Sequence, residues 1–223
     1  MASCIRTVNI TKSYVINGKK VKVLKETNLE VECGQLVSIV GPSGAGKSTL
    51  LNILSTIDSP SKGRVEHLGV TVYPRGEDWR AKWRRDHVGV VLQFIFLVPT
   101  LTAYENVLLA LELSKKFKDR VRRALKILET VGLIDKADRY PSELSGGEQQ
   151  RVALARAIAN DPEIIIADEP LSNLDRQNRI MLSKLLRKLA DEGKAVVVTT
   201  HEDELVRVSD IVCEMKRGEL NCP

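Results

Sequence analysis

Aromatic side chains make up only 4% of the 223 residues. A core of that composition has to be aliphatic, and runs such as VVVTT and EIIIAD supply it. No apolar stretch approaches the roughly 20 residues that a bilayer-spanning helix needs. The opening MASCIRTVNI lacks the apolar centre of a signal peptide, so a cytosolic protein is the expectation. The four cysteines, Cys4, Cys33, Cys213 and Cys222, contain no CxxC pair, which argues against a zinc site. Internal repeats and low-complexity tracts are missing too. Lys and Arg outnumber Asp and Glu by only 34 to 29, a net charge of +5. So mild a surplus reads as ordinary solubility rather than as the field of a nucleic-acid or anionic-lipid binder.

What the chain does have is alternation between strand and helix patterns. IRTVNI and VKVLKETNLEVE flank the turn signal ING and predict an antiparallel hairpin. QLVSIV is a short buried-strand run that leads through a glycine-rich loop into KSTLLNILSTI, a helix pattern. HVGVVLQ predicts another strand. From about 94 to 158 the pattern is helical, with Val121, Leu125, Leu128 and Val131 at the spacing of one helix face. Strands then return as EIIIAD and AVVVTT, separated by the helix RIMLSKLLRKLADEG, and a hairpin IVCEM-KRG-EL closes the chain. Strands alternating with helices imply an α/β fold with a mostly parallel sheet. The predicted division is an N-terminal antiparallel β subdomain and parallel core over 1–93 and 159–223, with an inserted helical subdomain over 94–158.

The chemistry concentrates in a few short motifs. GPSGAGKST matches G-x-x-x-x-G-K-[ST] between a strand and a helix, which is the context of a phosphate-binding P-loop. It comprises Gly41, Pro42, Ser43, Gly44, Ala45, Gly46, Lys47, Ser48 and Thr49. Its glycines let backbone N–H groups turn toward phosphates. Lys47 brings a charge for the β and γ phosphates, and the Ser48 hydroxyl suits Mg²⁺. Asp168 ends the strand EIIIAD, placed to hold Mg²⁺ through water, and Glu169 follows at once as a candidate base for an attacking water. Gln93 and His201 each follow an apolar strand. In an open parallel sheet both would stand at the C-terminal edge, where ligands bind. LSGGEQQR at 144–151 dresses a second helix start as an anion site.

GPSGAGKST, LQ, LSGGEQQR, IIIADEP, SNLD and TTH occur in the order and at the spacing of an ABC transporter nucleotide-binding domain, and the chain resembles one over nearly its whole length. LLNILSTIDSPSKGRV and FLVPTLTAYENV further resemble the branch serving macrolide efflux and lipoprotein release. The resemblance implies a RecA-like P-loop NTPase core that binds ATP and Mg²⁺ and hydrolyses ATP. By the same resemblance Tyr14 stacks on adenine, and Gln93 touches Mg²⁺ and senses the transporter. Asp175 lies at the contact between two ATPase domains, and His201 holds the γ-phosphate. Ser145, Gly146 and Gly147 close on the nucleotide of a second copy. The implied partners are an integral membrane permease and that second copy, with no nucleic acid, on the cytoplasmic face of the membrane. Leu171 after DEP, and the apolar residues after Gln93, depart from the usual pattern. A DNA-repair ATPase of the structural-maintenance type would insert a long coiled coil. A translation factor of this class would carry two cassettes. This chain has neither feature.

Three further expectations concern single segments. Trp79 and Trp83 stand at i, i+4 among Arg80, Lys82, Arg84 and Arg85. Packing of both rings against the body is expected over a lipid- or nucleic-acid-facing patch. Phe94, Ile95, Phe96 and Leu97 are expected in part to line a groove for a short helix of the permease. In the closing hairpin a turn at Arg217 and Gly218 sets Cys213 opposite Cys222. A four-residue turn at 17–20 would set Cys4 opposite Cys33. Free thiols remain the expectation at all four, because cytosolic disulfides are unusual.

Overall fold

Two sheets form, separated by the hydrophobic patterns described above. The computed structural model describes residues 3–172 and 174–223. The alternating segments build an antiparallel sheet in the order β2-β1-β4-β5, from β1 (Ser3–Ile16), β2 (Lys19–Glu32), β4 (Lys62–His67) and β5 (Val70–Thr71). The continuous apolar runs build the second sheet, in the order β10-β9-β3-β8-β7-β6. Its strands are β3 (Leu36–Val40), β6 (Val88–Val91), β7 (Ile164–Asp168), β8 (Ala195–Thr199), β9 (Ile211–Lys216) and β10 (Glu219–Asn221). All its pairings are parallel except β9 with β10. Every residue of β7 and β8 is buried, as expected for strands covered on both faces.

Helices cover that sheet. They are α1 (Lys47–Leu54), α2 (Glu77–His87), α3 (Ala103–Ser114), α4 (Arg120–Thr130), α5 (Gly146–Ile158), α6 (Arg176–Asp191) and α7 (Asp203–Val206). Among the described residues α3, α4 and α5 follow one another with no strand between them. Two of the three start on a capping box: Thr102 with Glu105 on α3, and Ser145 with Glu148 on α5. Each box satisfies two backbone donors that a bare helix start would leave open. Trp79 and Trp83 stack with centroids 5.2 Å apart and pack against the core, as expected.

Four details differ from the sequence reading. Strands β4 and β5 have too few alternating apolar residues to be visible in the sequence. They pair through a turn at Leu68 and Gly69, both at positive φ. The buried face of α4 is Ala124, Ile127 and Leu128, continued by Val131. Val121 and Leu125 are left 54% and 38% exposed, because the apolar stripe is wider than the contact. The first hairpin turns on two residues, Asn17 and Gly18, with Ile16 opposite Lys19. Positive φ at both matches the twist that two-residue hairpins require.

The fourth difference is redox state. Both cysteine pairs are bonded: Cys4 to Cys33 and Cys213 to Cys222, with no free cysteine among the described residues. The closing hairpin has the expected register, Met215 opposite Leu220 and Glu214 opposite Asn221. In the first hairpin the assumed turn was wrong and the pair nevertheless forms. The register shifts cancel along the ladder, which ends with Ser3 opposite Glu32, and Cys33, the first residue past β2, reaches Cys4 diagonally with Cα atoms 5.0 Å apart. Cross-links of this kind stabilise by roughly 2–4 kcal/mol each. Thiol titration of the denatured, unreduced protein is therefore expected to find no free thiol, and reduction to lower the unfolding midpoint. Four free thiols before reduction would overturn both bonds.

Candidate functional site

Strand order creates the site. β3 lies beside β8, β8 beside β7 and β7 beside β6, all running the same way. The residues that leave their C-terminal ends therefore share one edge: the 41–49 loop after β3, His201 after β8, Asp168 and Glu169 at β7, and Gln93 after β6. They surround a cavity of about 570 Å³. Pro42 to Thr49, Gln93, Asp168, Glu169 and His201 all line it.

The loop after β3 depends on close backbone packing. Gly41 has φ 152°, and a Cβ there would fall 2.1 Å from the Met215 carbonyl oxygen. Any side chain would push the loop off β9. Lys47 begins α1 and is buried. Its Nζ donates to the carbonyls of Gly41 (2.6 Å) and Pro42 (3.3 Å) and lies 3.3 Å from His201 Nε2. It is the one Lys or Arg among the described residues lining the cavity.

On the opposite wall Glu169 sits at φ 48°, a left-handed conformation that a non-glycine residue adopts only under local constraint. Thr199 supplies the constraint. Its carbonyl and its Oγ1 both accept the Glu169 N–H, at 3.2 and 3.0 Å, and its hydroxyl donates to Asp168 Oδ1. Burial raises the Glu169 carboxyl above the ordinary glutamate range, and the nearby His201 and Lys47 only partly offset this. His201 Nε2 stands 3.2 Å from Glu169 Oε1. Lys47 and Glu169 thus compete for one imidazole nitrogen. A lone pair there accepts from Lys47, whereas an N–H there donates to Glu169.

Other expected residues lie outside this cavity. Gly41 stands behind it. Tyr14 donates its hydroxyl to Asp58 Oδ2 at 2.7 Å, with Lys12 Nζ 4.8 Å from its ring centroid. Ser145 is the N-cap of α5, followed by Gly146 and Gly147. Asp175 caps α6, accepting the Asn178 N–H at 2.9 Å; its neighbour Asn173 lies outside the described residues. Sequence reading missed Thr199, Ser172, Glu202 and Val23. The first three sit within or directly beside the quoted motifs. Val23 comes from β2, and no local signal marks it.

A second cavity of about 390 Å³ opens beside β6, between α2, α3 and α5. Phe94, Phe96, Leu113, Arg84 and Arg156 are among its walls. Phe94 and Phe96 are 73% and 61% exposed, while Leu97 packs against the core.

Residues 24–172 match the model of the family described as ABC transporter. An ABC transporter ATP-binding protein of Methanocaldococcus jannaschii is 44% identical over 217 residues, covering 97% of each chain. The lipoprotein-releasing system ATP-binding protein LolD of Aquifex aeolicus is 43% identical over 221 residues, covering 99% of this chain and 97% of its own. The chain belongs to the ABC transporter family. It is an ATP-binding cassette and an ATPase. Its fold superposes on the M. jannaschii cassette MJ0796, solved as a dimer in a post-hydrolysis state bound to ADP and Pi. The TM-score is 0.92 at 41% identity, over 97% of this chain and 96% of that one.

In this cassette, loss of the Lys47 ammonium leaves no equivalent charge in the cavity. A charge-assisted hydrogen bond contributes about 1.5–3 kcal/mol. Lys47→Ala is expected to weaken ATP binding roughly 10- to 100-fold and to abolish hydrolysis. Hydrolysis at the wild-type rate by the purified variant would show that the site lies elsewhere.

Proposed function

We propose that this cassette powers a separate membrane permease as half of a head-to-tail pair, with each ATP held between one chain's P-loop and the other's LSGGE segment. The observation that carries this reading is the split of the expected site. Two anion-binding devices occur in one chain, and Ser145, Gly146 and Gly147 stand apart from the cavity that Lys47 and Glu169 line. A second copy supplies the missing wall. Residues 1–93 and 159–223 act as the catalytic core and 94–158 as the helical arm that reaches the partner. Among the described residues no helix is long and apolar enough to cross a membrane; this reading gives the membrane span to a permease on whose cytoplasmic side the cassette sits.

Within each half-site the roles follow from the donors present. Tyr14 offers a ring for adenine stacking, a contact worth roughly 1–3 kcal/mol in comparable base stacks. The 41–49 loop and Lys47 bind the phosphates. Ser48, Gln93 and Asp168 present a hydroxyl, an amide oxygen and a carboxylate to one cavity, an all-oxygen set that fits Mg²⁺. That ion would neutralise the β and γ oxygens. Glu169 takes a proton from the attacking water as the water oxygen bonds to the γ-phosphorus, and the bond from phosphorus to the bridging oxygen breaks. His201 steadies the γ-phosphate, and Asp175 stands at the contact between copies. Charge removed from the interface then lets the pair open, which the permease feels.

Glu169→Gln keeps Asp168 and loses the base. ATP is expected to trap this variant as a dimer, read by sedimentation. Gly146 faces open space in the single chain, whereas a Cβ at Gly147 meets Leu174 at 3.1 Å. Adding Gly146→Trp should therefore spare the monomer and its ATP binding while abolishing the dimer. A double variant that still pairs with ATP would sink the shared-site reading.

The exposed Phe94 and Phe96 wall of the second cavity is the proposed seat for a short permease helix. Phe94→Asp with Phe96→Asp is expected to shift stability by no more than about 0.5 kcal/mol per position, as surface changes do. ATP binding and pairing should persist while transport by the reconstituted complex is lost. Unfolding of the double variant would mean that both rings belong to the core.

A further inference from the structure

Glu148 places a negative charge in the first turn of α5, the end that the proposed function needs to be positive. Its geometry is fully specified. Glu148 Oε2 accepts the Ser145 N–H at 2.8 Å, and the Glu148 N–H donates to Ser145 Oγ at 3.3 Å. That bond uses one of the two lone pairs of the hydroxyl oxygen, and the hydroxyl also lies within hydrogen-bond reach of the Glu148 carboxylate, which it helps to hold ionised. A capping box needs an acceptor at this position, and a glutamine supplies one without charge. A carboxylate instead opposes an incoming phosphate within one helical turn.

Lys136 answers that charge. It ends the short 3-10 segment Ile134–Lys136 after α4, twelve residues before Glu148 and on a different element. Its ammonium donates to Glu148 Oε1. The Glu148 side chain is 14% exposed and the Lys136 side chain 40%, so salt reaches the pair from the lysine side. Lys136, with the Ser145 N–H second, holds the Glu148 carboxyl down at about 2. The charge is therefore present at every working pH.

We propose that Lys136 is a positioning residue for the LSGGE segment, cancelling the Glu148 charge so that the Ser145 hydroxyl, the N–H groups of Gly146 and Gly147 and the positive end of α5 can face the γ-phosphate on a second copy. This inference rests on the shared-site reading. It predicts that Lys136 matters only while position 148 is anionic.

The test uses the Glu169→Gln chain, with ATP-dependent dimerisation followed by sedimentation. Lys136→Met should weaken pairing about tenfold, the scale of a charge at a helix end. Adding Glu148→Gln should restore it, and Lys136→Arg should pair like the parent. The defect should shrink in high salt. Parental pairing by Lys136→Met would overturn the proposal. So would a defect that Glu148→Gln fails to rescue, since Lys136 would then only buttress the loop. Gly146→Trp, run alongside, separates the two failures. If it blocks pairing and the rescue is absent, only the role of Lys136 falls. If it leaves ATP-dependent pairing intact, the shared site falls and this proposal with it.

Discussion

The close approach of the phosphate loop to the closing hairpin constrains everything around the site. Gly41 lets the loop leave β3 against the Met215 carbonyl. Two residues past β9, Gly218 donates its N–H to the Ala45 carbonyl at 2.9 Å and accepts the Lys25 N–H at 2.8 Å. A Cβ on Gly218 would fall 2.3 Å from the Val23 carbonyl. Loop, hairpin and β2 are therefore held by backbone contacts that leave no room for side chains. The Cys213–Cys222 bond closes the same hairpin at its base. A loop held this way does not have to organise when phosphate arrives, which is how a rigid scaffold gives precision to a glycine-rich segment.

The cavity itself is a set of balanced oppositions. Lys47 satisfies itself on carbonyls of its own loop, and Glu169 is half-buried beside Asp168 with its carboxyl raised. Each is costly alone and becomes useful when a polyphosphate is present. Thr199 ties the two acids to the neighbouring strand β8 rather than to the loop. The LSGGE segment shows the same economy. Its helix start is capped by its own Ser145 and Glu148, and the charge this introduces is met by Lys136 from outside the helix.

In the proposed function, coupling rests on adjacency in the chain. Gln93 lines the nucleotide cavity and Phe94 lines the second cavity beside α3. A single peptide bond separates the two environments. A permease helix seated at Phe94, as proposed, would act one peptide bond from the edge that Gln93 lines.

Much of this was legible in the sequence, because it is written in local pattern. Apolar runs marked β3, β7 and β8. Glycine, lysine and serine spacing marked the P-loop, and the serine and two glycines of LSGGEQQR marked the start of α5. Those features arise within a few residues, where propensity and capping decide. Other features needed the folded chain. Strand order brought Gln93, Asp168, His201 and Lys47 to one edge, and the chain leaving β2 carried Cys33 diagonally to Cys4 despite a mistaken turn. Packing chose Ala124 and Ile127 over Val121 and Leu125 as the face of α4. Lys136 meets Glu148 across two elements, and Val23 enters the cavity from another sheet. In each of these cases the contact joins residues from separate elements, and its energy depends on how those elements pack, which a local pattern does not encode.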